Sequence, residues 1–168
     1  MTRKKLIILY LIAFICQLTV INLIGINNVG PNLILCLTVV IIFVFDEGWR
    51  CIPYSLGAAL LIDVCAGTVI GAAPLALFCT GIFAEAARER LNTELLAPLA
   101  VTGAIATLLN NIVYWLILKI LGNPMSILYI LKFQIFYIIY NILVMFVIFH
   151  FMNKIRAARE KEEDEYGI

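Results

Sequence analysis

The chain has 168 residues, of which 64% are hydrophobic and only 14% are charged, with a net charge of +1. Soluble domains carry about a quarter charged residues, and a soluble protein of this size cannot hide so much apolar surface. In lipid, every backbone polar group must be paired internally, which leaves helices or a closed barrel. The apolar runs do not alternate with polar residues as barrel strands do. The sequence therefore predicts an all-α, polytopic membrane protein.

Six apolar segments follow one another, separated by Gly, Pro, Asn and charged residues that end helices or membrane spans. They cover residues 6–24, 32–45, 52–65, 72–87, 95–121 and 126–152. The first is too long for the core of a cleaved signal peptide and is interpreted as a transmembrane helix. The second and third measure about 21 Å, which is short for a bilayer core of about 30 Å. They must cross where the bilayer is thin, extend into neighbouring loop residues, or be partly re-entrant.

The distribution of basic residues predicts the orientation of the chain. About six transmembrane helices over 1–153, followed by a charged tail at 154–168, place ten of the twelve basic residues on one side. By the positive-inside rule, that side is the cytoplasm and both termini lie in it. The ten are Arg3, Lys4, Lys5, Arg50, Arg88, Arg90, Lys154, Arg156, Arg159 and Lys161.

Asp63 is the sharpest candidate for a functional residue, because an ionisable side chain in a membrane span is expensive to keep. The favoured interpretation is structural: Asp63 ends the third segment and accepts backbone N–H groups from the loop that follows. Gly67 and Gly71 then allow positive φ or a close backbone approach in that loop. Lys132 is a candidate ion partner, although a lysine can also extend to the headgroups unaided.

Small residues line one face of the fourth segment and one face of the fifth, and such faces let helices approach closely in lipid. We expect these two stripes, which include Ala84 and Ala104, to pack on each other. The stripes are Ala73, Ala76, Thr80, Ala84 and Ala87, and Ala100, Ala104, Thr107 and Asn111. The remaining polar residues of the spans favour hydrogen bonds between helices, with a substrate site as the less favoured alternative. They are Gln17, Asn22, Asn110, Gln134 and Asn141.

Nothing in the sequence favours an enzyme, a cofactor, a metal site or nucleic-acid binding. His150 is the only histidine, and the nucleophile-elbow, zinc-protease and phosphate-loop motifs are all missing. The five cysteines have no C-x-x-C spacing and are interpreted as small apolar residues within the bundle. No basic face that would bind nucleic acid is visible.

The entry to the second span reads Pro31-Asn32-Leu33, and the third span ends in Asp63-x-x-x-Gly67-x-x-x-Gly71, an acid followed by two evenly spaced glycines. With these two motifs, residues 30–91 resemble the family of rod shape-determining MreD proteins, which shows Pro-Asn/Asp-Leu at that entry and the same spacing of acid and glycines. Ala59 replaces the glycine usually found four residues before the acid. The resemblance implies a non-enzymatic component of the bacterial elongation machinery in the cytoplasmic membrane, beside an MreC-like protein and other membrane proteins of that complex. Such a component helps to organise lateral peptidoglycan synthesis and to maintain cell shape.

The alternative is the substrate-binding S component of an energy-coupling-factor vitamin transporter, since those proteins also have six spans and a similar size. S components typically present an Ala-x-x-x-Ala face on their first span. Here the first segment contains only Ala13, which counts against this alternative.

Overall fold

The computed structural model describes the backbone of residues 3–24, 30–45, 48–66, 69–92, 95–123 and 126–166, without the side chains of 20–24, 129 and 159–166. This part of the chain is helical and contains no strand. The helices are α1 (Arg3–Ile24), α2 (Leu33–Val44), a 3₁₀ turn (Gly48–Cys51), α3 (Ile52–Ala66), α4 (Ala72–Arg88), α5 (Leu96–Ile120) and α6 (Ile127–Tyr166).

Helix α2 is the centre of the bundle and packs against all five other helices. Every residue from Ile34 to Val44 is buried, as expected for a helix that is apolar on all sides. Asn32 begins the helix, since its side chain accepts a hydrogen bond from the Leu35 N–H at 3.1 Å. The 12 residues of α2 span about 18 Å. Most of the surface of α2 is covered by the surrounding helices rather than by lipid.

Within the described part of the chain, three helical stretches are long and apolar enough to cross a membrane: Gly48–Ala66, Leu96–Ile120 and Ile130–Ala158. The first shows how the short third segment gains length, because the 3₁₀ turn joins α3 directly. That turn was predicted to be a loop. Gly48 makes it possible, since a Cβ there would overlap Ile42 Cα and lie 2.6 Å from the Ile41 carbonyl oxygen.

The outward faces of the helices are covered with large apolar side chains, including Ile8 and Ile12 on α1, Leu75 on α4 and Leu143 on α6, each more than half exposed. A soluble monomer rarely exposes contiguous apolar surface on this scale. Together with the three long apolar helices, these faces indicate a membrane protein. Helix α6 differs from the predicted segment 126–152, because it continues without a break through the charged tail to Tyr166.

Candidate functional site

A cavity of about 400 Å³ opens at the end of the bundle where α1 and α3 end and where α2, α4 and α6 begin. Its volume falls in the usual range of ligand pockets, about 300–1,000 Å³. Six polar side chains, from four helices and the entry to α2, contribute to its wall, and apolar and aromatic residues form the rest. The six are Gln17, Asn32, Asp63, Asn110, Asn111 and Asn141.

Asp63 closes the turn between α3 and α4 at the wall of this cavity. Its side chain is buried, and Oδ2 accepts hydrogen bonds from the Gly71 N–H at 2.9 Å and from the Ala73 N–H at 3.1 Å. These are N–H groups at the start of α4, which have no partner within the helix and carry its positive dipole end. The helix terminus thus supplies both hydrogen bonds and favourable charge to the carboxylate.

Gly71 has φ of +98°, in the left-handed region, where a side chain would strain the backbone. A Cβ built there meets nothing within 4 Å, so the requirement for glycine comes from the backbone alone. Gly67, the other glycine of the predicted turn, lies outside the described residues.

The cavity's second wall is the entry to α2. Pro31 is buried there, and its carbonyl oxygen accepts a hydrogen bond from Gln17 Nε2 at 3.2 Å, while the Leu33 N–H donates to Gln17 Oε1 at 2.7 Å. The Asn32 N–H donates to Asn141 Oδ1 at 2.8 Å. Two amide side chains, one from α1 and one from α6, therefore hold the Pro31-Asn32-Leu33 backbone in place.

Asn141 also connects α6 to α5, since its Nδ2 donates to Thr107 Oγ1 at 3.0 Å. Thr107 in turn donates to the Gly103 carbonyl oxygen at 2.8 Å. On the same pair of helices, Asn111 donates to Gln134 Oε1 at 3.0 Å. The expected interhelical hydrogen bonds thus exist for Gln134 and Asn141, while the side chain of Asn22 is outside the described part.

Asn110 differs from its neighbours. Its side chain is only 8% exposed and lines the cavity, yet within the described part of the chain its amide makes no hydrogen bond. The second carboxylate oxygen of Asp63, Oδ1, likewise has no partner among the described residues. The cavity is therefore lined by two polar groups that have no partner among the described residues.

Lys132 does not reach Asp63. Lys132 is exposed on α6, and its ammonium lies 5.6 Å from the ring centroid of Phe133. Lys132 and Asp63, both in the described part of the chain, form no ion pair. Phe133 lines the cavity, as do Tyr114 and Tyr137. Asp63 is consequently the only carboxylate in the described wall, and that wall contains no basic side chain.

Helices α4 and α5, which carry the two small-residue stripes, pack together, and burial follows the predicted stripe more closely on α4 than on α5. On α4, Ala76, Thr80 and Ala84 are buried. On α5 the buried line runs through Leu99, Thr102, Gly103, Ala106, Thr107 and Asn110, and Ala104 is only half-buried. Gly103, which the sequence did not single out, faces α6 rather than α4: a Cβ there would lie 2.5 Å from Met145 Sδ.

Among the described residues, no group of three His, Cys, Asp or Glu side chains could hold a metal ion. His150 is exposed, and of the five free cysteines only Cys36 and Cys51 are buried, whereas Cys65 and Cys79 are exposed.

Comparison of the chain with protein-family models, with characterised proteins and with solved structures found no match.

Proposed function

We propose that the chain is a non-enzymatic membrane component of the bacterial cell-elongation machinery, similar to MreD proteins. The supporting observation is that the two sequence motifs of the resemblance meet in space. Pro31 and Asp63 line the same cavity although 32 positions separate them in the chain. A chance match of short motifs gives no reason for the two to form a single site.

The second motif also has a structural role that explains its spacing. Asp63 and Gly71 are joined by a hydrogen bond across the turn, and Gly71 supplies the positive φ that starts α4. An acid eight residues before a left-handed glycine is therefore the arrangement that reverses the chain at the membrane surface. This role needs no catalysis, in keeping with a protein that acts through assembly.

We further propose six spans, with both termini in the cytoplasm of a bacterial plasma membrane. The exposed apolar faces of α1 and α4 support spans beyond the three long helices. Arg50 and Arg88 lie at the ends of α2 and α4 that face away from the cavity, and Arg156 there donates to the Val44 carbonyl oxygen at 3.4 Å. Basic residues at this end fit the cytoplasmic side, and the cavity then faces outward.

Topology reporters test this orientation. Fusions at Arg90 and after Lys161 should both report the cytoplasm, and a fusion at Asn123 should report the outside. Opposite sides for Arg90 and Lys161 would exclude the proposed arrangement.

Shape rescue in a rod-shaped bacterium depleted of its own MreD protein tests the function. The wild-type chain, expressed with its cognate MreC-like partner, should restore rods. Asp63→Asn should rescue nearly as well, because an amide oxygen still accepts the Gly71 and Ala73 N–H groups. Asp63→Leu should lower membrane abundance and rescue together. Round cells at normal abundance of the wild-type chain and its partner would contradict the proposal.

The cavity favours a second candidate, the S component of an energy-coupling-factor transporter, because such proteins bind a small substrate within the bundle. Against it, the single alanine of α1, Ala13, is buried inside the protein and cannot form an exposed docking face. Co-expression with a transporter core distinguishes the two: stable association with that core, and none with an MreC-like protein, would favour the S component.

A further inference from the structure

The cavity contains polar groups that the fold does not use. Oδ2 of Asp63 accepts hydrogen bonds from backbone N–H groups at the start of α4, and Oδ1 has no partner in the described part of the chain. Asn110, nine-tenths buried, presents an amide to the same space and has no protein partner in that part either. Buried polar groups are normally satisfied by protein, water or ligand. Asp63 and Asn110 both line the same cavity.

The charge of the wall selects the class of ligand. Asp63 is the only acidic or basic side chain among the described lining residues, and Lys132, which is exposed, is not one of them. The one formal side-chain charge of the wall is therefore negative. An anion would meet an unpaired carboxylate in a partly dehydrated site, which is strongly unfavourable. A cation would gain a charge-assisted hydrogen bond to Oδ1.

Aromatic rings in the cavity wall also favour a cationic ligand. Tyr114 and Tyr137 line the cavity together with Phe133, whose ring already lies 5.6 Å from the Lys132 ammonium. Aromatic faces attract ammonium groups through their quadrupoles. Carboxylate and aromatic rings together are a common setting for organic ammonium recognition, while a metal ion would need more oxygen or nitrogen ligands than one carboxylate. The Asn110 amide adds an acceptor for a second N–H or a donor for a neighbouring oxygen.

We propose that this cavity binds the primary ammonium group of a small amine or of an amine-bearing lipid headgroup, with Asp63 as counter-ion and Asn110 as the second polar contact. The inference is independent of the proposed role in elongation, because binding is measured on purified protein whether or not the chain restores cell shape.

The experiment uses the full chain, purified in detergent, and follows thermal unfolding while ethanolamine is added. N-acetylethanolamine is the neutral control, since it has similar groups without the positive charge. Ethanolamine should raise the melting temperature of the wild type, and the neutral analogue should not. For the lipid source, the chain is reconstituted in nanodiscs of phosphatidylethanolamine mixed with phosphatidylcholine, and co-purifying lipid is identified by native mass spectrometry.

Two variants assign the contacts. Asp63→Asn keeps an oxygen for the α4 N–H groups but removes the charge, and should weaken amine binding about tenfold or more, as expected for a lost charge-assisted hydrogen bond. Asn110→Leu removes an amide that no described protein group uses, so it should fold normally and also bind more weakly. Lys132→Gln, outside the cavity, is the matched control and should not weaken binding.

Each outcome decides the matter. Stabilisation by ethanolamine supports a free amine, and selective retention of phosphatidylethanolamine supports a lipid headgroup. If neither binds, if the neutral analogue binds equally well, or if Asn110→Leu folds and binds like the wild type, the proposal is overturned. Should Asp63→Asn fail to fold, Asn110→Leu and the neutral analogue still decide.

Discussion

Replacing Asn141 with leucine should destabilise the bundle strongly, although the two side chains are similar in size. Asn141 is 2% exposed; it accepts from the Asn32 N–H at 2.8 Å and donates to Thr107 Oγ1 at 3.0 Å. Leucine leaves the Asn32 N–H without its acceptor, which costs about 1–3 kcal/mol. The bond to Thr107 adds about 0.6 kcal/mol, a typical value between membrane helices. We therefore expect a loss of about 2–4 kcal/mol in the free energy of unfolding.

The matched control is Asn110→Leu, which makes the same chemical change at the wall of the same cavity. Its amide has no hydrogen bond to other described residues, so removal should change stability by less than about 0.5 kcal/mol or increase it. The assay is equilibrium unfolding of both purified variants in mild detergent titrated with dodecyl sulphate. Equal destabilisation by the two variants would refute the assignment of hydrogen bonds, since size and burial alone would then explain the loss.

Five further substitutions test the turn and the packing, two pairs by the same unfolding assay and Gly48→Ala by membrane abundance. Gly71→Ala should lower the free energy of unfolding by about 1–2 kcal/mol, because the φ of Gly71 is +98°. Its control, Gly57→Ala, should be neutral or stabilising, because Gly57 lies in the interior of α3 with open space around a new Cβ. Equal effects of the two substitutions would argue against a left-handed Gly71. Ala84→Leu should lower the free energy of unfolding by about 1–3 kcal/mol through overpacking. Ala104→Leu should lower it distinctly less, because only Ala84 is fully buried. The reverse order would contradict the register of α5. Gly48→Ala should prevent normal accumulation, since its Cβ would overlap the α2 backbone; normal abundance would show that α2 and the 3₁₀ turn are farther apart.

Helix positions followed closely from local chemistry. The predicted segment 32–45 became Leu33–Val44, and 72–87 became Ala72–Arg88, because proline, glycine and capping asparagine act on the backbone next to them. The 3₁₀ turn at Gly48 was missed because its cause is not local. The charges around Gly48 favour a loop, and only the backbone of α2, folded against it, requires a residue without a side chain.

Contacts between helices were harder to predict, because each residue turns the helix by about 100°. Asn110 and Asn111 illustrate this: the first has no hydrogen bond to other described residues, and the second bonds to Gln134. The predicted α5 stripe through Ala104 lies one position from the buried line through Gly103. All the cavity's polar residues were visible in the sequence as single polar residues in apolar segments. That they share one cavity depends on the rotation of five helices, which no single segment encodes.

The most direct test of the proposed function is the formation of a complex with an MreC-like protein. The chain and the MreC-like protein of the same bacterium are co-expressed, extracted in mild detergent, purified through a tag on this chain and weighed by native mass spectrometry. We expect a stable complex of defined stoichiometry that survives Asp63→Asn and is diminished by Asp63→Leu in proportion to the loss of folded protein. Recovery of a folded, monodisperse chain without any MreC-like protein would contradict the proposed function.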